Sequence, residues 1–302
     1  MQPVIFKLNY VQILSTKFSW IVSLQFRNAF KADGTLRIMV KKSAPIPKIS
    51  VVMSVYNEEK FIDESIRSIL NQTFKDFEFI IINNGSTDNT LKIIKSYKDK
   101  RIKIINKRRN VGTSKAVNLG FKKAKGKYIA SFCGDDISHP KRLEIEFNYL
   151  ESHPEIFLVG ASAVYINESG KEIQRFRKYD DYRMLSWRLR KSCSIIYPSI
   201  MFHNENFFLD VNTKTNDYNF YFELLKNGKK LTNLPYFLTK YRVHPGSLSV
   251  YKKKEFDLSK KQVLERFKSL EDKTDLFDKM IFSIKLFFHY IRTIREKRAR
   301  LI

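Results

Sequence analysis

The chain has 302 residues, enough to bury a full core and too many for a small disulfide-stapled module. Lys and Arg number 56 against 31 Asp and Glu, and the formal net charge of +25 is spread along the whole length. Such an excess favours polyanionic partners, whether nucleic acid, an anionic membrane surface or phosphorylated small molecules, although a coding bias toward Lys gives the same balance without any function. Cys133 and Cys193 are the only cysteines, so no disulfide framework is expected and a reducing compartment fits. Lys17 and Arg27 bracket one apolar stretch, and Lys285 and His289 interrupt another. Neither reads as a membrane-spanning helix, and the N-terminus lacks the order of a secretory signal.

In chain order, residues 1–47 form an ill-patterned arm that ends at the proline-containing segment SAPIPK. ISVVMSV then reads as a strand, and EKFIDESIRSIL as a helix with Phe61, Ile62, Ile66, Ile69 and Leu70 on one face. The unit repeats as FEFIIIN with TDNTLKIIKSYK and as RIKIIN with TSKAVNLGFKKAK. KYIASFC follows, leading to Asp135 and Asp136 and a helix beginning near His139. This alternation predicts βαβ units, a largely parallel sheet and helices on both faces. Beyond residue 155 come a strand (IFLVGASAVYI), a turn into a shorter strand (NESGKEI), and a helix with a basic face (DDYRMLSWRLRKS). A helix closed by Gly228 (NDYNFYFELLKNG) and an extended segment (NLPYFLTKYRVH) complete this part. Residues 251–302 form a basic amphipathic helical region. Its apolar stripe, Leu276 to Ile294, either packs on the body or lies on an anionic leaflet.

Parallel sheets bind ligands beyond the carboxyl ends of their strands, so the residues that follow each strand are the candidates. They are Ser54-Val55-Tyr56-Asn57-Glu58, Asn83-Asn84-Gly85-Ser86, Asp135-Asp136, Asn216-Asp217 and Tyr241-Arg242-Val243-His244. The second group reads as a polar turn with Ser86 or Thr87 capping the next helix. Two adjacent carboxylates suit a hard divalent cation or the positive end of a helix. Asp217 is equally at home as the first-turn acid of its own helix.

Taken in order, KISVVMSVYNEEKFIDESIRSILNQTFKDFEFIIINNGSTDNT, NVGTSKAVNLGFKKAKGKYIASFCGDDISHPKRLE and NDYNFYFELLKNGKKLTNLPYFLTKYRVHPGSLS resemble the motifs of the family 2 glycosyltransferases over about residues 48–250. The resemblance implies an α/β GT-A fold: a Rossmann-like, mixed but mostly parallel sheet flanked by helices, here with a helical C-terminal extension. It places Ser54, Tyr56 and Glu58 in a nucleotide pocket, Asn84 near the base, Asp135 by the ribose or metal, and Asp136 by the metal and diphosphate. His244 falls near the diphosphate, with Arg242 adding charge, and Asp217 falls at the catalytic base. The implied reaction is an inverting transfer from a UDP- or dTDP-sugar to a hydroxyl of a glycan or lipid-linked saccharide in envelope polysaccharide synthesis, with Mn2+ or Mg2+ as cofactor. A cytoplasmic location, with peripheral contact to the inner face of the membrane, goes with it.

The chain departs from the family's pattern at Asn83 and Asn84, where Asp-Asp is usual, at Cys133, where Asp is common, and at Asn216, where Glu is. These departures leave a second reading, a catalytically impaired GT-A body that binds membrane or glycan. Lys107-Arg108-Arg109 adds to the basic balance, but no helix-turn-helix, zinc or RNP pattern accompanies it, so no nucleic-acid partner is expected.

Overall fold

The computed structural model describes residues 28–30, 36–38, 46–178, 180–247 and 253–268. The chain divides into two units, Met1–Pro45 and Ile46–Ile302. In the first, β1 (Asn28–Phe30) pairs antiparallel with β2 (Leu36–Ile38).

The second unit is built on a nine-stranded sheet. β3 (Ile49–Val55) and β4 (Phe77–Asn84) are runs of β-branched and aromatic residues buried on both faces. Alternate side chains feed two cores. Val51, Met53, Phe79 and Ile81 enter one, while Val52, Ile80 and Ile82 enter the other. α1 (Ile62–Leu70), α2 (Thr90–Ser96) and α4 (Arg142–Ser152) cover the first core with Ile62, Ile66, Ile69, Ile94, Leu143 and Leu150. The opposite face carries α3 (Thr113–Lys123), α5 (Tyr182–Leu189), α6 (Asn216–Lys226) and α7 (Lys253–Lys268).

β5 (Ile102–Lys107), β4, β3 and β6 (Tyr128–Cys133) run parallel. The short β10 (Met201–His203) then intervenes antiparallel between β6 and β8 (Ile156–Ile166). β11 (Lys230–Arg242) lies parallel to β8, β7 (Ile137–Ser138) closes the far edge against β11, and β9 (Glu172–Phe176) hairpins onto β8. The mixed, mostly parallel sheet with helices on both faces is the architecture expected from the sequence.

α4 begins at Arg142, three residues later than the expected start near His139. The His139 N–H is engaged by Leu238 O, and Pro140 O accepts from Thr73 N–H, so residues 139–141 form the turn before the helix. The C-terminal stripe from Leu276 to Ile294 lies outside the described residues. Among the described residues no helix is long and apolar enough to cross a membrane.

One fully buried ion pair fastens α4 beneath the sheet. Arg142 Nε meets Glu146 Oε1 at 2.9 Å with both side chains at 0% exposure, and the guanidinium also donates to Ser131 O and Ile200 O. Burial pushes the Glu146 carboxyl up to about 7 despite its cationic neighbour. Glu146→Ala leaves the guanidinium without a counter-charge and is expected to cost about 3–5 kcal/mol in urea unfolding, whereas Arg142→Met with Glu146→Leu costs less than that single change.

Candidate active site

Two loops at the carboxyl ends of β3 and β4 are fastened to each other. Asn57 adopts a φ of 55°, a left-handed conformation that Asn tolerates better than most residues. There its N–H donates to Ser86 Oγ (3.1 Å) and its Oδ1 accepts from Thr87 N–H (2.8 Å). Glu58 N–H donates to Thr90 Oγ1 and Glu59 N–H to Asp88 Oδ2, while Asn89 N–H returns to Glu59 Oε2. Ser86 and Thr87 therefore do not cap α2 as expected. Asp88 does so, accepting from Thr90 N–H, because α2 starts three residues beyond Thr87.

The acidic pair follows β6. Gly134 packs so closely on β3 that a Cβ there would lie 2.6 Å from Val55 Cγ1, which brings Asp135 and Asp136 against the first strand. Ser65 Oγ of α1 contacts Gly134 O and Asp136 O from below. The two carboxylates then diverge. Asp136 is 1% exposed, with Oδ1 accepting from Arg242 N–H at 2.8 Å and Oδ2 buried without a partner among the described residues. Burial, with Asp135 beside it, holds its carboxyl well above the usual range. Asp135 is more open, and its Oδ2 lies 3.2 Å from His244 Nε2.

Glu58, Asp135 and His244 each offer one ligand atom, and these atoms lie within 4.8 Å of one another. Burial, followed by the charges of Asp135 and Asp88, pushes Glu58 up to about 8. Phe61 packs its ring 4.8 Å from that of His244. A cleft of about 360 Å³ opens here, lined among others by Asn57, Lys60, Asp88, Glu168 and His244. Carboxylate oxygens with one imidazole form a donor set that fits Mn2+ or Mg2+. A second group, Cys133 with Asp135 and Asp136, offers two carboxylates and a thiol, a softer donor than Mn2+ or Mg2+ prefer. Burial and four surrounding carboxylates push the Cys133 thiol up.

Arg242 does not extend into the cleft as a free cation. It is 2% exposed, and its guanidinium donates to Asp135 O, Asn167 O and Glu168 O and meets Glu64 Oε2 at 2.6 Å. Arg242, expected to add charge at a diphosphate, is thus an internal bracket whose charge would act there only from within the protein. Asn84 is engaged in the same way. Its Oδ1 accepts from Val111 N–H and its amide donates to Asn110 Oδ1, so the side chain holds the β5–α3 loop instead of projecting freely toward a base. That loop crosses Gly85, where a Cβ would strike the Arg109 backbone at 2.4 Å. Ser54 is half-buried near the end of β3, and Tyr56 is exposed just beyond it.

Asp217 stands apart from these groups, in the first turn of α6. Its Oδ1 accepts from Tyr218 N–H, and its own N–H donates to Asn216 Oδ1. The Asn216 amide in turn reaches Ser114 of α3. Burial raises its carboxyl above the ordinary range. Asp217 joins Glu58, Asp135 and Asp136 in raising the Cys133 thiol. Sequence reading missed Lys60, Asp88 and Glu168. Glu168 comes from the β8–β9 turn, more than 100 residues from Lys60 in the chain, and no local pattern marks it.

This sheet with its cleft defines a GT-A protein, and solved structures share the fold. S. aureus TarS bound to UDP-GlcNAc superposes with a TM-score of 0.59 at 18% identity over 77% of each chain. The mannosyltransferase PcManGT from Pyrobaculum calidifontis, in complex with GDP-Man and Mn2+, does so at 0.57 with 16% identity, over 78% of this chain and 67% of that one. Residues 50–248 match the model for glycosyl transferase family 2. An uncharacterized glycosyltransferase of Methanocaldococcus jannaschii is 38% identical over 207 residues, 65% of this chain and 71% of the relative. The chain belongs to the family 2 glycosyltransferases.

The carboxyls of Glu58, Asp136 and Asp217 are all raised in the folded state above their ordinary values. A carboxyl raised in this way makes stability fall as pH rises from its unfolded value toward its folded one. For Glu58 that window runs from 4.5 to about 8. The thermal midpoint without metal is expected to drop across this window. Saturating Mn2+, which favours the ionised carboxylates, should flatten the slope, and Glu58→Gln should reduce it in the metal-free protein.

Proposed function

We propose that the chain transfers a sugar, with inversion, from a UDP- or dTDP-sugar to a hydroxyl of a glycan or lipid-linked saccharide. The observation that carries this reading is the convergence of Glu58, Asp135 and His244 beside a cleft that Glu58 and His244 line, with Asp217 and this group both acting on the Cys133 thiol. Asp135 and His244, with Glu58, would hold the Mn2+ or Mg2+. Asp136, expected from the sequence to hold the metal with help from Asp135, keeps Oδ1 on Arg242 N–H and has Oδ2 without a partner among the described residues, so that oxygen remains available to the ion. When bound, the divalent ion neutralises charge on the departing diphosphate.

Asp217 takes the proton of the acceptor hydroxyl as that oxygen attacks the anomeric carbon from the face opposite the leaving group. Its raised proton affinity suits a base that must accept a proton near neutral pH. His244, 10% exposed and held by Asp135, is placed to donate toward the departing diphosphate. The loops after β3 and β4 meet before any ligand arrives, so the donor end of the cleft is preorganised. Ser54 and Tyr56 belong to the wall of that end, and Asn84 acts there by holding Val111. TarS with UDP-GlcNAc supports a uridine donor, and the net charge of +25 supports an anionic setting such as an envelope saccharide at the inner leaflet.

The rival reading, an impaired body that only binds glycan or membrane, draws on the protonated Cys133 thiol and on the engagement of Asn84. One assay separates the two: release of nucleoside diphosphate from a panel of UDP- and dTDP-sugars in the presence of Mn2+ and acceptor. Asp217→Asn is expected to lower kcat by about 10²–10⁴-fold while donor affinity is retained. Asp135→Asn should abolish metal-dependent donor binding measured by thermal shift. Wild-type protein that binds donor yet turns none over across the panel favours the rival. Activity that survives both substitutions removes these roles.

A further inference from the structure

Asp217 is steadied by contacts that lie outside the Glu58–Asp135–His244 group. A helix leaves its first main-chain N–H groups without partners of its own, and at α6 side chains take them. Asp217 N–H donates to Asn216 Oδ1 at 2.9 Å, and Tyr218 N–H donates to Asp217 Oδ1 at 2.8 Å. One carboxylate oxygen of Asp217 is thus tied to its own helix. Its Oδ2 has no hydrogen-bond partner among the described residues, and the residue is half-buried.

Asn216 also uses its amide nitrogen, which donates to Oγ of the buried Ser114 on α3 at 2.8 Å. One turn further along α3, Asn118 makes a second tie. Its Nδ2 donates to Leu209 O and its Oδ1 accepts from Leu209 N–H, each at 2.8 Å. Residues four apart share one face of a helix, so α3 grips the segment that leads into α6 at two points. Only the Ser114 tie continues to Asp217. Thr215, just before Asn216, is held separately, with its N–H donating to Ser259 Oγ of α7 at 3.1 Å.

Helix ends fray when their free N–H groups are unmet, and a catalytic group placed in a first turn loses its aim with them. The amide of Asn216 answers this with both of its ends, an acceptor for Asp217 N–H and a donor for Ser114. Because it is neutral, it does so without setting a second negative charge beside a carboxyl that burial already raises. Lys260 of α7 lowers the proton affinity of Asp217, while Tyr197, Tyr221, Cys133 and Cys193 are the other titratable groups coupled to it. We propose that Asn216, seated on Ser114, is the positioning residue of the catalytic base: it fixes the first turn of α6 so that Oδ2 of Asp217 is held open for the acceptor hydroxyl. This rests on the reading of Asp217 as the base.

The test uses the full chain with Mn2+ and the sugar nucleotide that the UDP- and dTDP-sugar panel selects. Asn216→Ala is expected to lower kcat by about 10- to 100-fold, the cost of a misplaced catalytic group, with donor KM and UDP affinity within about twofold of wild type. Ser114→Ala should lower kcat in the same sense, and Ser114→Thr, which keeps the hydroxyl, should restore it. Asn118→Ala is the control. It removes the neighbouring tie on the same face of α3 and should lower the thermal midpoint without lowering kcat. An NMR titration of protein isotope-labelled at aspartate, with the Asp217 signal assigned by its loss in Asp217→Asn, reads the carboxyl without turnover. Asn216→Asp should raise the Asp217 midpoint, and the acid limb of the kcat profile should move to higher pH with it, because the base works only when ionised.

Wild-type kcat in Asn216→Ala overturns the proposal. So does a kcat loss that Asn118→Ala reproduces, since that loss belongs to the α3 contact as a whole, and so does an Asp217 midpoint that stays put in Asn216→Asp. In each of these cases loss of transfer in Asp217→Asn leaves the base assignment standing without Asn216. Transfer retained in Asp217→Asn, or a panel with no turnover at all, overturns the base assignment and the role of Asn216 together.

Discussion

The Arg242 guanidinium is the one group on which the rest of the cleft depends. It lies inside the protein and gathers main-chain oxygens from the loop after β6 and from the β8–β9 turn, a carboxylate from α1, and the face of Phe61 at 4.7 Å. The main-chain N–H of the same residue donates to Oδ1 of the buried Asp136. Three chain segments far apart in sequence are therefore held at fixed distances by one residue at the end of β11. A buried cation is costly unless it is fully hydrogen-bonded, and here its donors point at carbonyls and a carboxylate. His244, two residues further on, takes its position against Asp135 and Phe61 from that anchorage.

The same burial explains why the acids resist ionisation. Glu58, Asp136 and Asp217 lie where water is scarce, and the first two also lie near one another. A basic chain does not relieve this repulsion, because Arg242 is already shared among several oxygens and Lys60, on the cleft wall, is exposed and paired with Glu168. Carboxylates gathered in this way form the kind of oxygen-rich group that a divalent cation would relieve.

Much of this was legible in the chain. The strand–helix alternation from Ile49 to Ser152 follows from period-2 and period-3.6 patterns long enough to read, and the order of the motifs carried the family. The candidate residues after each strand include the three that converge on the cleft. The sequence did not show which way each side chain turns. Asp135 and Asp136 are neighbours, yet one faces the opening and one the interior, because Arg242 N–H claims the second from 106 positions away. The bracketing by Arg242 was not legible because its partners are mostly main-chain carbonyls, which leave no mark on residue type. The hold of Asn84 on the β5–α3 loop was hidden for a similar reason, since its Oδ1 accepts from the Val111 N–H. The late start of α4 reflects Leu238 drawing His139 out of the helix, a tertiary effect on a boundary.

β10 contributes only three residues, yet it is where the sheet changes direction. On its β6 side lies the parallel half that ends in the acidic loop, and on its β8 side the half that carries α5 and α6. The two halves are joined well away from this seam: β7 pairs with β11, Asn216 at the start of α6 reaches Ser114 of α3, and both hydrophobic cores draw residues from each half. Three residues suffice for the reversal because the load of closing the sheet is spread over its rim and its two cores.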